Sequence, residues 1–154
     1  MYFIPLFDPC DRFTCLKCGR CCGIGRKDWL LQLSRRDLKK LDELGFSDSI
    51  EYRGHLAYLK KTKRGTCVFL DERTNLCILR KNYGWYPFGC RLFPFSYYSV
   101  NSTLVITVNK GYAKSVGCLG FGKGKTLGEQ VDHVLEILRE EGIIEEYYVI
   151  ETPY

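Results

Sequence analysis

The stretch Cys15-Leu16-Lys17-Cys18-Gly19-Arg20-Cys21-Cys22-Gly23 constrains this chain more than any other. Four cysteines fall within eight residues, and glycines follow Cys18 and Cys22. Glycine lets a chain double back through positive φ and lets backbone amides approach a bound ion or sulfur closely. Thiolates are soft ligands for zinc and for iron–sulfur iron. The alternatives are an oxidised disulfide loop or packed free thiols. Four thiols on one short arc point instead to a bound metal.

The remaining 145 or so residues must then fold around that loop. A chain of 154 residues is about one ordinary domain, so we expect a single cysteine-cluster metal-binding domain over 1–154. Hydrophobic residues at 45% and aromatics at 14% exclude a disordered chain. Only Ala57 and Ala113 are alanines, which argues against many long, propensity-driven helices. The net charge of +5 permits an anionic partner without requiring one.

Residues 1–10 carry no basic n-region and no long apolar run, so no signal peptide is expected. No stretch approaches about 18 consecutive apolar residues, so no membrane span is expected either. Nine cysteines without a secretory signal predict a cytoplasmic metal protein rather than a disulfide scaffold. Hyperthermophilic cytosol is the known exception.

In chain order, residues 1–14 read as an extended, aromatic lead-in, with Cys10 most simply a buried small hydrophobe. Ser34 is a fit N-cap, and Asp37 puts an acid in the first turn of the helix that follows. Leu38, Leu41 and Leu44 form its core stripe, Gly45 fits its C′ position, and Arg35, Arg36, Lys39 and Lys40 lie on the solvated side. Residues 46–64 look polar and weakly periodic, with Ser47-Asp48-Ser49 capping a short second helix. They end in a basic run at Lys60, Lys61, Lys63 and Arg64.

Thr66–Leu70 and Asn75–Leu79 read as two short strands with one cysteine each. Residues 82–95 suggest an irregular loop holding Cys90, and the glycine-rich 111–124 segment holds Cys118. Between them, Tyr97–Val100 and Thr103–Val108 form a hairpin turning at Asn101-Ser102. Thr126-Leu127-Gly128-Glu129 is a capping box for a helix with Val131, Val134, Leu135 and Leu138 on one face. Gly142 ends that helix, and 143–150 suits a closing strand. The predicted class is α+β: metal-stapled irregular loops, short β-hairpins and two principal helices.

The Cys-x2-Cys-x2-Cys spacing supplies three thiolates from one arc, with further cysteines far along the chain. Structural zinc more often takes two ligands from each of two knuckles. Three close thiolates plus one distant one suit a [4Fe–4S] cluster. Cys22 leaves a second ion open, because eight cysteines also make two four-thiolate zinc sites. The candidate ligands are Cys15, Cys18, Cys21, Cys22, Cys67, Cys77, Cys90 and Cys118. Arg91 directly follows Cys90, and its N–H groups suit support of a thiolate from outside the ligand sphere; a plain surface arginine is the alternative.

These residues resemble the CxxCxxCC cysteine-cluster family, a zinc- or iron-chelating domain. The likeness runs through Phe13-Thr14-Cys15-Leu16-Lys17-Cys18-Gly19-Arg20-Cys21-Cys22, then Cys67-Val68-Phe69-Leu70 with Cys77-Ile78-Leu79, then Cys90-Arg91-Leu92-Phe93-Pro94-Phe95. It covers roughly residues 13–120. Two departures stand out: Tyr86-Pro87 occupies the place of the family's usual Arg-Pro, and Leu79 stands near a common tyrosine. The resemblance implies metal binding and little else.

The leading expectation is therefore a cytoplasmic metal-cluster protein whose metal mainly shapes the fold, with redox or accessory use. A second reading is an RNA- or ribosome-associated module presenting Lys60, Lys61, Lys63, Arg64, Lys123 and Lys125. A third is a lysine-methylase-like accessory enzyme, since flagellin lysine-N-methylase is similar in its cluster. No glycine-rich cofactor loop supports that third reading. His55 and His133, the only histidines, stand outside any catalytic motif.

Overall fold

A computed structural model describes residues 2–17 and 30–144. In chain order they form β1 (Tyr2–Leu6), β2 (Arg12–Phe13), α1 (Arg35–Glu43), a 3₁₀ turn (Ser47–Ser49), β3 (Ile50–Arg53) and β4 (Leu56–Leu59). Then come β5 (Leu70–Asp71), β6 (Leu76–Cys77), α2 (Ile78–Tyr83), α3 (Phe88–Leu92), β7 (Phe95–Val100) and β8 (Thr103–Val108). Next are α4 (Lys110–Ser115), β9 (Phe121–Thr126), a 3₁₀ turn (Gly128–Gln130) and α5 (Val131–Glu140). The class is α+β, and α1 and α5 are the longest of these helices, at 9 and 10 residues.

The contacts gather the chain into two compact units. One takes the described residues of 1–14, 92–111 and 120–154, the other those of 15–91 and 112–119.

In the first unit, β7 and β8 form the expected hairpin. Its turn residues Asn101 and Ser102 both have positive φ, 46° and 62°, as a type I′ turn requires. The lead-in strand β1 adds in parallel to β8, Tyr2 opposite Thr103 through Leu6 opposite Thr107. The central strand β8 buries Leu104, Val105 and Ile106 in succession, and β1 buries Phe3. The capping box before α5 is present: Thr126 N–H donates to Glu129 Oε2 at 2.8 Å, and Glu129 N–H donates to Thr126 Oγ1 at 3.2 Å. That Thr126 amide, with its hydroxyl, holds the Glu129 carboxyl below the usual carboxylate range. On α5, Val131, Val134, Leu135, Ile137 and Leu138 are buried, so the predicted stripe faces the interior. Ile143 and Ile144 lie outside any strand, and the rest of the expected closing strand falls outside the described residues.

The glycine-rich 111–124 segment is more regular than its composition suggests, because it closes on β2. Thr14 N–H donates to Gly120 O at 3.1 Å, and a Cβ on Gly120 would sit 2.3 Å from Thr14 O and 2.7 Å from the Phe13 ring. Phe13 itself is 4% exposed. Gly120→Ala is therefore expected to destabilise by about 1–3 kcal/mol, the cost of overpacking where backbone must move. The check is the urea midpoint of unfolding; an unchanged midpoint would mean that this approach yields easily.

In the second unit, Ser34 caps α1 as expected. Asp37 N–H donates to Ser34 Oγ at 3.1 Å and Ser34 N–H returns to Asp37 Oδ2 at 3.0 Å, a full capping box. Leu41 is wholly buried, Leu38 and Leu44 pack against the same core, and Gly45 adopts φ 81°. The polar segment 46–64 differs from expectation: it holds the β3–β4 hairpin, with Ile50 opposite Leu59 and Arg53 opposite Leu56. Its two-residue turn starts with Gly54 at φ 62°, the glycine position of a type II′ turn. Residues 31–33 run alongside β4, where Leu33 N–H donates to Ala57 O and Leu59 N–H to Leu31 O.

The two strands expected at Thr66–Leu70 and Asn75–Leu79 shrink to two residues each. Leu70 N–H turns back to Cys67 O at 3.1 Å, so the first segment is a tight turn. In the second, α2 begins at Ile78, whose N–H donates to Phe69 O at 2.8 Å. Leu79, Arg80 and Lys81 are good helix formers. Gly84 ends the helix in the left-handed region at φ 60°. The expected irregular loop at 82–95 likewise contains α3.

Candidate metal centre

Three of the predicted ligands share one core. Cys67 is buried within a cluster of Leu31, Leu33, Leu41, Ile50, Ala57, Leu59, Phe69 and Leu79, and Cys77 and Cys90 pack against that cluster. The local backbone explains the placement. Cys67 O accepts from Leu70 N–H, and Leu70 pairs with Cys77 across the β5–β6 ladder, so both cysteines flank one short hairpin. Cys77 is also the N-cap residue of α2. Cys90 lies on α3, and its N–H donates to Pro87 O at 3.0 Å.

The start of α3 is fixed by a residue that sequence spacing assigned only to α1. Asp37 is 1% exposed, and Phe88 N–H donates to its Oδ1 at 3.0 Å and its Oδ2 at 3.2 Å. One carboxylate thus caps α1 and holds the first amide of the helix carrying Cys90. No sequence signal links Asp37 to Phe88 across 51 positions. The only hint was an acid placed where a helix N-terminus favours it. Gly89 permits the close packing here, since a Cβ on it would lie 2.6 Å from Leu31 Cδ1.

Cys15 is exposed, and its sulfur accepts from Arg80 Nη1 at 3.8 Å. The Arg80 guanidinium also lies over the Tyr86 ring, 4.6 Å from its centroid. Cys118 is half-buried beyond α4, its N–H donating to Ala113 O at 2.8 Å. Arg91 is half-buried on α3, its N–H donating to Pro87 O at 3.0 Å. Cys18, Cys21 and Cys22 lie outside the described residues. Among the described residues, no three His, Cys, Asp or Glu side chains are grouped to hold a metal ion.

The described cysteines divide cleanly between the two units. Cys15, Cys67, Cys77, Cys90 and Cys118 fall in the second, and Cys10 falls in the first. Cys10 is exposed, so the expectation of a buried small hydrophobe is corrected: it sits in a surface turn, where Asp8 Oδ1 accepts from its N–H. None of these six is in a disulfide. Sulfur donors of this kind, three of them in or against one apolar core, suit a thiophilic metal.

The basic run sits beside Cys67. Lys61 bridges Cys67 through the backbone, and Arg64 pairs with Glu72 at 2.9 Å. Lys60, Lys63, Lys123 and Lys125 are exposed, as are His55 and His133. No helix among the described residues is long and apolar enough to cross a membrane.

The family profile described as "Putative zinc- or iron-chelating domain" matches residues 14–118. The chain belongs to the CxxCxxCC family. This CxxCxxCC match spans every predicted ligand and stops at Cys118, leaving Cys10 outside it. Similar curated proteins include two uncharacterized proteins of Methanocaldococcus jannaschii. MJ0661 is 28% identical over 148 residues, covering 88% of this chain and 76% of that protein. MJ0939 is 30% identical over 131 residues, covering 83% of this chain and 44% of that protein, so this chain corresponds to less than half of MJ0939. No solved structure matches the chain. Membership of the CxxCxxCC family supports metal binding and leaves zinc and iron both open.

Proposed function

We propose that the chain binds its metal through the thiolates of Cys15, Cys18, Cys21, Cys22, Cys67, Cys77, Cys90 and Cys118, and that the metal mainly fixes the fold. The observation that carries this reading is the sorting of cysteines. All five described candidates fall in one unit, three of them in or against one apolar core, while Cys10 lies in the other. Once bound, a zinc ion or iron–sulfur cluster crosslinks segments that lie far apart in the sequence. The three thiolates of Cys15, Cys18 and Cys21, close in sequence, favour a [4Fe–4S] cluster over zinc. Arg91, next to Cys90 on α3, supports the cluster from outside its ligands. The cytoplasm, where thiols stay reduced, suits such a centre.

The test is anaerobic purification followed by metal analysis and a visible spectrum. Iron with sulfide, and a visible band that bleaches on reduction, is the expected result; colourless protein with stoichiometric zinc would retain the ligand set and replace the cluster. Protein free of both metals after anaerobic isolation would refute the reading. Cys10→Ser is expected to keep full metal content, and Cys90→Ser to lose a large part of it. Equal loss in both variants would break the assignment of ligands by unit.

A further inference from the structure

We infer that Arg80 is a positioning residue for the metal centre, holding the Cys15 sulfur and offsetting the negative charge of the thiolates. The inference rests on the reading above that Cys15 is a ligand. Four thiolates around a divalent ion leave an anionic centre, and hydrogen bonds to the ligand sulfurs tune such centres strongly.

Arg80 is built for that task by its place on α2. It lies three positions after Cys77, the N-cap residue of that helix, so backbone that fixes one candidate ligand also fixes the reach of Arg80. Its Nη1 donates to Cys15 Sγ at 3.8 Å, joining positions 65 residues apart. A long, flexible side chain loses rotamer freedom when it is held this way. Tyr86 reduces that loss, because its ring supports the guanidinium face 4.6 Å away. The planar guanidinium can stack on the ring and still donate along its edge to sulfur, which a lysine ammonium cannot do in the same way.

Cobalt(II) loaded into the purified full chain is the probe. An N–H donor to sulfur lowers the energy of the sulfur lone pairs, and its loss moves the sulfur-to-cobalt charge-transfer band to longer wavelength. Arg80→Gln is expected to show that shift and to release cobalt to a chelator about 10-fold faster. Arg80→Lys, which keeps the charge, should fall between it and the wild type. Tyr86→Leu leaves Arg80 in place and should move both readouts the same way by a smaller amount, and it carries the test if Arg80→Gln does not fold. A band and release rate unchanged from wild type in Arg80→Gln, or in Tyr86→Leu in its place, would overturn the role of Arg80 alone. Wild-type protein that takes up neither cobalt nor, under anaerobic reconstitution, iron with sulfide would overturn the ligand reading itself, and this inference with it.

Discussion

Removal of the metal is expected to destabilise the cysteine-bearing unit by on the order of 10 kcal/mol, because binding energy for structural thiolate sites is folding energy. The elements around the candidate ligands explain why. The strands β5 and β6 have two residues each, α2 has six and α3 has five. Helices this short are marginal in water, and an isolated two-stranded hairpin is hardly stable alone. Their order has to come from packing and from crosslinks. Chelation should therefore lower the melting temperature steeply. Amide exchange gives the sharper reading: β8, paired on both sides, should keep its protection, while α2 and α3 lose theirs. An unchanged melt in protein verified as metal-free would refute the coupling.

Much of this arrangement could be read from the chain because it follows from local rules. Ser34 and Asp37, Thr126 and Glu129, and the turn at Asn101-Ser102 each fix backbone through neighbours within a few positions. The leucine stripe of α1 and the apolar stripe of α5 follow from the helical period alone. The readings that failed depend on distant partners. The β3–β4 hairpin has a modest apolar pattern, and it becomes a strand pair because residues 31–33 line β4. Asn75–Leu79 has a strand-like composition, but Phe69 O takes the Ile78 amide and the chain turns into α2. Cys10 is exposed although cysteine is among the residues most often buried. The candidate site was legible in its residue types, since thiolate spacing is itself a ligand signal. What spacing could not supply was the set of non-ligand contacts. The bonds from Arg80 to Cys15 and from Phe88 to Asp37 join residues far apart in sequence.

Asp37→Ala is expected to be among the most damaging single substitutions outside the cysteines. It removes the acceptor for Ser34 N–H and for Phe88 N–H together, at a site 1% exposed to solvent. Loss of a cap costs about 1 kcal/mol, and an orphaned buried N–H a further 1–3 kcal/mol, so the expected loss is about 2–4 kcal/mol. Asp37→Asn keeps the shape and one acceptor oxygen, but turns an amide NH2 toward one of the two donors; about 2 kcal/mol is expected there. Glu43→Ala, at an exposed position on the same helix, is the control and should stay within about 0.5 kcal/mol. Because Phe88 opens the helix that carries Cys90, Asp37→Ala should also hasten metal loss to a chelator, whereas Glu43→Ala should not. Urea midpoints measured on metal-replete protein decide the matter. If the midpoint of Asp37→Ala coincides with that of Glu43→Ala, the carboxylate does not hold α3, and the geometry around Cys90 must be maintained by the apolar core and the metal alone.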